Sequence, residues 1–289
     1  MKIEDALEYA KNELAGEQSS IDARYLLSFL IDKDFTWLKT WPDYLLTEPQ
    51  LTRFKKLIAR RKKGEPIAYI TGSKDFWTLT LETNPSTLIP RPETELLVEK
   101  ALEFLSKNKK KLNNILDLGT GTGAIALAIA SERPSDQIVG SDYQAQAVQL
   151  ALRNVKRNAI NNAMMLQSHW FEKFADQKFD LIVSNPPYVE KNDPHLLLGD
   201  LVFEPSSALV SGGEGLHDIR LIIGQAKEYL SDNAALMIEH GFQQGEQVRA
   251  IFAKNGYREI ETHQDLAGLD RVSQGIFSAG SLMGGDQPC

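Results

Sequence analysis

The stretch DLIVSNPPYVE, Asp180 to Glu190, begins as an apolar run and then turns through Asn185, Pro186, Pro187 and Tyr188. A plain turn needs less, since one Pro or one Gly would serve. Asn185 precedes a proline and is pushed toward extended geometry. Pro186 and Pro187 each have a fixed φ and no N–H. The Pro186 carbonyl is therefore expected to point outward beside the side-chain carbonyl of Asn185. Two acceptors on a stiff loop make a fork for one NH₂ group, and Tyr188 is placed to lie flat against a planar substrate. Asn185, Pro186 and Tyr188 are the expected catalytic residues, and Asn185, Pro186, Pro187 and Tyr188 the expected substrate contacts.

A fork of this kind suits a nitrogen that is a poor nucleophile. In a carboxamide the nitrogen lone pair is delocalised, and in a peptide amide that resonance sets a rotation barrier of about 18–20 kcal/mol. Acceptors that hold both hydrogens turn the lone pair toward an electrophile and share the positive charge that develops. No base is needed before attack, because the proton becomes acidic only afterward.

A second constellation supplies the electrophile's site. ILDLGTGTGAIALAIA follows an expected strand and opens a helix, with Gly119, Thr120, Gly121, Thr122 and Gly123 at the turn. The next strand ends in Asp142, an acid suited to both hydroxyls of a ribose. The dinucleotide fingerprint G-x-G-x-x-G is missing, because Ala124 follows G-x-G-x-G. Asp117 just before the loop suits a sulfonium or ammonium better than a pyrophosphate. S-adenosyl-L-methionine, with S-adenosyl-L-homocysteine as product, is the expected cofactor. Trp170 in SHWFEKF falls after the third strand, where an adenine ring would lie, and is expected either to pack along that ring or to fill the helix–sheet core. No metal is expected.

These residues need a sheet to hold them. From about residue 93 the chain alternates helices with short apolar strands, which implies α/β architecture with a doubly wound parallel sheet and right-handed crossovers. The first ~75 residues read as helices, with Ala6, Leu7, Ala10 and Leu14 at helical spacing, then Ile21, Tyr25, Leu26 and Phe29. Between them, Trp77–Leu81 alternates as a strand and Asn84–Pro85 reads as the turn of a hairpin. The expected organisation is a helical domain at 1–74, a hairpin linker at 75–92, a methyltransferase domain at 93–279 and a loose tail at 280–289.

The totals fit an ordinary soluble globular protein: 42% hydrophobic and 25% charged residues in 289, with a single cysteine at Cys289. One cysteine excludes internal disulfides and cysteine-based metal clusters. The N-terminus reads as a charged amphipathic helix, and the expected compartment is the cytoplasm, with no membrane contact. A net charge of −7 argues against broad binding to DNA, which phosphate neutralisation drives. One basic run, Arg53 to Lys63, keeps RNA contact open beside the simpler reading of a solvated helix face.

With GEPIAYITGSKDFW, LIPRPETELLVE, LDLGTGTGAIALAIA, SNPPY and FEPSSALVSGGEGL in place, the chain resembles the HemK/PrmC-type release factor glutamine methyltransferases over nearly its whole length. The resemblance implies a class I (Rossmann-like) methyltransferase sheet after a small helical N-terminal domain. It implies methyl transfer to the side-chain N5 of the glutamine in the Gly-Gly-Gln motif of peptide chain release factors. It also assigns cofactor contacts to Gly119 through Gly123, Asp142, Trp170 and Asn185, and substrate contacts to Asn185 through Tyr188. His169 stands where an acid is expected. Arg91 and Glu93 in PRPETE are left between a bracing role and substrate contact. The alternatives are glutamine methylation of a ribosomal protein, N-methylation of a base amine in nucleic acid, and a non-catalytic adenosylmethionine-binding adaptor.

Overall fold

The computed structural model describes residues 1–108 and 110–278. The segment expected as a tail, 280–289, lies outside the described residues, as does position 279. The chain forms two compact units, one of Met1–Ser73 together with His195–Phe203, the other of Lys74–Pro194 and the chain from Glu204 onward. Among the described residues no helix is long and apolar enough to cross a membrane.

The smaller unit contains α1 (Ile3–Leu14), α2 (Ser19–Ile31), α3 (Phe35–Thr40), α4 (Glu48–Lys62) and α5 (Ile67–Thr71). α4 starts at a capping box, in which Thr47 Oγ1 accepts from Gln50 N and Gln50 Oε1 accepts from Thr47 N; each partner satisfies a donor that the first turn leaves open. Its last turn carries Arg60, Arg61 and Lys62, favourable at the negative end of the helix dipole. The core joins Ala6 and Ala10 to Ala23, Leu26, Leu27, Phe54 and Ile58. On α2 the buried stripe is thus Ala23, Leu26 and Leu27. Of the expected stripe Ile21, Tyr25, Leu26 and Phe29, Leu26 is buried, while Ile21, Tyr25 and Phe29 are 54%, 38% and 39% exposed, because the core forms on the side of Ala23, Leu26 and Leu27. Residues 195–203, distant in sequence, belong to this unit, with Arg61 pairing Asp200 at 3.2 Å.

The larger unit opens with a two-stranded hairpin, β1 (Ser73–Phe76) and β2 (Leu79–Glu82). Its turn falls at Trp77 and Thr78, where a strand was expected, and Trp77 takes a left-handed φ of 55°. Burial decides this. Phe76, Leu79 and Leu81 all enter the apolar layer on one face of the main sheet, and only a turn before Leu79 puts them there together. After α6 (Glu95–Lys107) come β3 (Asn114–Leu118), α7 (Ala124–Glu132), β4 (Gln137–Asp142), α8 (Ala145–Arg157), β5 (Ala163–Gln167) and β6 (Phe179–Ser184). Two short strands, β7 (Val189–Glu190) and β8 (Val210–Ser211), pair with each other ahead of the four-residue α9 (Gly212–Gly215) and of α10 (His217–Ala226). β9 (Leu230–Glu239), α11 (Gly245–Lys254), β10 (Arg258–Gln264) and β11 (Asp270–Ile276) complete the unit.

The seven-stranded sheet runs β10-β11-β9-β6-β3-β4-β5. Five strands are parallel, and β11 lies antiparallel to both β9 and β10. β6 is buried along its whole length, as a strand covered by helices on both faces must be. The chain travels outward from β3 through β4 to β5, then returns to β6 on the other side of β3. Between β3 and β6 the strand order reverses, and in open α/β sheets ligands bind beyond the carboxyl ends of the strands at that point.

Candidate active site

The register at the reversal places the two expected motifs side by side. Leu118 of β3 pairs with Ser184 of β6, so Gly119 and Asn185 leave the sheet as neighbours. Ser184 Oγ donates to Leu118 O at 2.8 Å and ties the two strand ends together. A cavity of about 350 Å³ opens there, within the usual range for small-molecule sites. Gly119, Thr120, Gly121, Thr122, Asp142, Trp170, Asn185 and Pro187 line it. Gly123, Pro186 and Tyr188 are not in its wall.

The Gly loop turns with Gly119, Gly121 and Gly123 at φ of 72°, 54° and 85°. Asp142 organises it: Oδ2 accepts from Gly121 N at 3.0 Å and Oδ1 from Gln144 N at 2.9 Å. An ionised carboxylate has about four lone-pair sites, so each oxygen keeps capacity for a ligand in the cavity. Burial raises the Asp142 pKa, and the backbone N–H groups oppose that shift. Asp117 behaves differently. It is fully buried and outside the cavity wall, with Oδ2 accepting from Thr120 Oγ1 at 2.6 Å and Ala126 N at 3.2 Å. Its other oxygen has no partner, and burial pushes the carboxyl up to about 7. The acid before the loop thus braces the turn from behind. Trp170 lies across the loop, since a Cβ built on Gly119 would stand 3.7 Å from its ring.

Asn185 reaches the cavity with its amide already committed. Nδ2 donates to Thr94 Oγ1 at 3.2 Å, which leaves Oδ1 as the acceptor for a ligand. Pro186 is buried. Tyr188 packs with the apolar cluster on the α10 side of the sheet, and burial raises its phenol well above the ordinary range. Its carbonyl accepts from Gln244 Nε2 at 3.1 Å, while Gln244 Oε1 accepts from Gly241 N at 2.9 Å. The exit of the SNPPY corner is clasped at that point.

Gly215 completes the clasp. At φ 76° it leaves no room for a side chain, because a Cβ there would stand 2.1 Å from Tyr188 O. Gly215→Ala must therefore strain its own backbone and displace Tyr188. The expected result is a stability loss above about 1 kcal/mol together with slower methyl transfer, read by thermal melting and labelled turnover. An alanine variant matching the wild type in both would show that this contact does not hold the corner.

Two groups in the wall were not assigned from sequence. Arg91 lines the cavity and pairs with Glu204, whose side chain is fully buried and also accepts from Ile89 N at 3.2 Å. The LIPRPETE and FEPSS segments are thus joined, so Arg91 is a brace that also faces the cavity; Glu93 is exposed and outside the wall. Thr94 also lines it. Its signal was available as a hydroxyl two residues after Pro92, but nothing local distinguishes it from a helix cap.

Known proteins agree with this geometry. A family model described as "Methyltransferase small domain" matches residues 93–257, and one described as "PrmC N-terminal domain" matches 5–72. Proteins named release factor glutamine methyltransferase are similar along most of the chain. The one from Aliivibrio fischeri is 50% identical over 95% of this chain and 97% of its own length. The Escherichia coli one is 46% identical over 91% and 94%. This chain belongs to the release factor glutamine methyltransferase family. A methyltransferase from Pyrococcus furiosus matches the fold at TM-score 0.51 and 19% identity, over 76% of this chain and 96% of its own. The methyltransferase match spans the Gly loop and Asp142, and the N-terminal match spans most of α1 and all of α2 to α5.

Proposed function

We propose that this chain transfers a methyl group from S-adenosyl-L-methionine to the side-chain N5 of the glutamine in the Gly-Gly-Gln motif of peptide release factors. One observation carries the reading: Asn185 stands beside the Gly119–Gly123 loop with its NH₂ held by Thr94, so an amide acceptor is fixed next to a cofactor-sized cavity. The names of the relatives at 46–50% identity support the release factor as substrate.

The donor set fits the cofactor. Asp142 offers a carboxylate anchored through both oxygens, the Gly loop offers close backbone approach, and Trp170 offers a ring for the adenine. Bound S-adenosylmethionine supplies a methyl group activated by its sulfonium and leaves as S-adenosylhomocysteine. The chain's own residues prepare the nitrogen. Asn185 Oδ1 accepts one hydrogen of the substrate amide, while Pro186, buried outside the cavity wall, keeps the corner stiff behind it. Held in this way, the lone pair is turned out of conjugation, the developing positive charge is shared, and the N–H proton, acidic once the methyl has transferred, is released to water. Hydrogen bonds to a charged group contribute roughly 1.5–3 kcal/mol each, and positioning supplies about 7–11 kcal/mol. Tyr188, packed in the apolar cluster outside the cavity wall, keeps the loop's exit fixed and stays neutral throughout.

The nucleic-acid alternative finds less support in the basic run. Arg60 pairs with Glu65, Arg61 with Asp22 and Asp200, and Lys62 with Glu13, while Lys55 lies over the Tyr9 ring. Arg60, Arg61 and Lys62 are thereby drawn to carboxylates of the protein itself, which reduces the charge this run offers to phosphates. The experiment offers labelled S-adenosylmethionine with purified release factor, total ribosomal protein and RNA in separate reactions. Label in release factor alone is expected. Label confined to ribosomal protein or RNA would move the substrate while leaving the methyltransferase chemistry in place.

A further inference from the structure

We propose that Glu239, at the carboxyl end of β9, is a positioning residue that sets which end of the Asn185 amide faces the substrate. The inference rests on the reading of Asn185 as the substrate acceptor and adds a residue to it. Ser184 of β6 pairs with Ile238 of β9, so Asn185 and Glu239 are the next residues along two adjacent parallel strands. Glu239 is 2% exposed and does not line the cavity. It follows Ile238 as Asn185 follows Ser184, and Thr94 and Asn185 are the hydroxyl and amide that favour its ionised form. Its Oε2 has no partner.

An asparagine amide has two faces of similar shape, a carbonyl that accepts and an NH₂ that donates. A fork for a substrate NH₂ works only with the carbonyl outward. An ionised carboxylate only accepts, so it draws donors toward itself. With Glu239 ionised, the Thr94 hydroxyl donates toward the carboxylate, Thr94 Oγ1 accepts from Asn185 Nδ2 at 3.2 Å, and Oδ1 is left facing the cavity. A protonated Glu239 would do the reverse. Its O–H would donate to Thr94, the Thr94 hydroxyl would turn toward Asn185, and the amide would be drawn to present its carbonyl inward. A buried carboxylate oxygen without a donor is costly, and a structural role alone would be served as well by an amide.

Several groups set the charge of Glu239. Burial is the largest influence and pushes it up to about 7; Thr94 and Asn185 oppose the shift through hydrogen bonds, and Arg271 of β11 opposes it by its charge. Arg271 is itself paired with Asp265 at 3.2 Å. Glu93, from the turn before α6, raises it further. Tyr188 on the corner is neutral, and His240 on the same strand is held toward its neutral form by burial, with its ring bonded to Gly241 O and Ser273 Oγ. The orienting, ionised form therefore grows as pH rises through about 7.

The test is the single-turnover rate of methyl transfer to release factor, at saturating cofactor and factor, from pH 6 to 8. The wild-type rate is expected to climb through about pH 7 and then level. In Glu239→Gln the climb should disappear and the rate at pH 8 should fall about 10-fold, the loss of a charge-assisted hydrogen bond. Dissociation constants for cofactor and factor should stay within about 3-fold, and the melting temperature at pH 8 should not drop, because the variant removes a buried charge. Thr94→Val interrupts the same relay and should also flatten the profile, which decides the matter if Glu239→Gln does not fold. A wild-type rate that is flat over this range, or variants that keep both rate and climb, would overturn the proposal. A wild type that leaves the release factor unmethylated would instead overturn the reading beneath it.

Discussion

Asn185→Ala should lower the methyl-transfer rate by about 10²–10³-fold or more, the size seen when one preorganised group facing developing charge is removed. Cofactor affinity should change little, because the groups that would hold a ribose belong to Asp142 and the Gly loop rather than to Asn185. The split between the two readouts is the informative part. A loss confined to turnover means the interaction is made in the transition state. The alanine leaves Thr94 Oγ1 without its donor at 3.2 Å, so a modest stability loss of about 1 kcal/mol should accompany it. An adaptor that only bound the cofactor would lose neither partner binding nor function on this change. Retained turnover in a folded, cofactor-binding Asn185→Ala protein would remove the fork from the mechanism.

Asp142→Ala should give the opposite pattern, weakening cofactor binding by about 10- to 10,000-fold. The estimate takes one to two charge-assisted hydrogen bonds to the ligand at roughly 1.5–3 kcal/mol each, with tenfold for every 1.4 kcal/mol. A second effect adds to it, since Oδ2 holds Gly121 N at 3.0 Å and the loop loses that tie. Asp142→Asn separates the two contributions. Its carbonyl still accepts from one backbone N–H, so the loop keeps part of its shape while the ligand loses the charge. Binding titrations with S-adenosylhomocysteine would read both. Affinity unchanged in Asp142→Ala would mean that the ribose is held elsewhere.

The parts of this site that were legible in the sequence are those where chemistry is written locally. Asp142 and Asn185 each end an apolar run, and the Gly loop sits between a strand and a helix. Side chains at strand ends point where ligands bind, so position along the chain already implied position in space. Glu239 also ends an apolar strand, as Asp142 does. Its importance depends on β9 lying next to β6, a pairing that no stretch of sequence states. Thr94 is hidden for the same reason, being 91 residues from the asparagine it holds.

Other differences trace to packing outweighing local signal. Trp77 and Thr78 are not turn formers, yet the hairpin turns there because Phe76 and Leu79 must both be buried. On α2 the larger side chains at Ile21, Tyr25 and Phe29 outlined a stripe by size, while the core formed on the alanine side. Asp117 suggested a partner for a cationic ligand by type alone; the fold uses it as a brace for Thr120 and Ala126. Residues 195–203 carry no signal that they belong to the helical unit, since the acid that pairs with Arg61 lies 139 positions away.

The most direct measurement of the central claim is fragment mass spectrometry of release factor after reaction with the protein and S-adenosylmethionine. A matched factor with the motif glutamine changed to alanine would be treated in the same way. The account predicts one added methyl group on the glutamine side-chain nitrogen of the first factor and none on the second. A methyl group found on the alanine variant, or on any other residue of the wild-type factor, would contradict it.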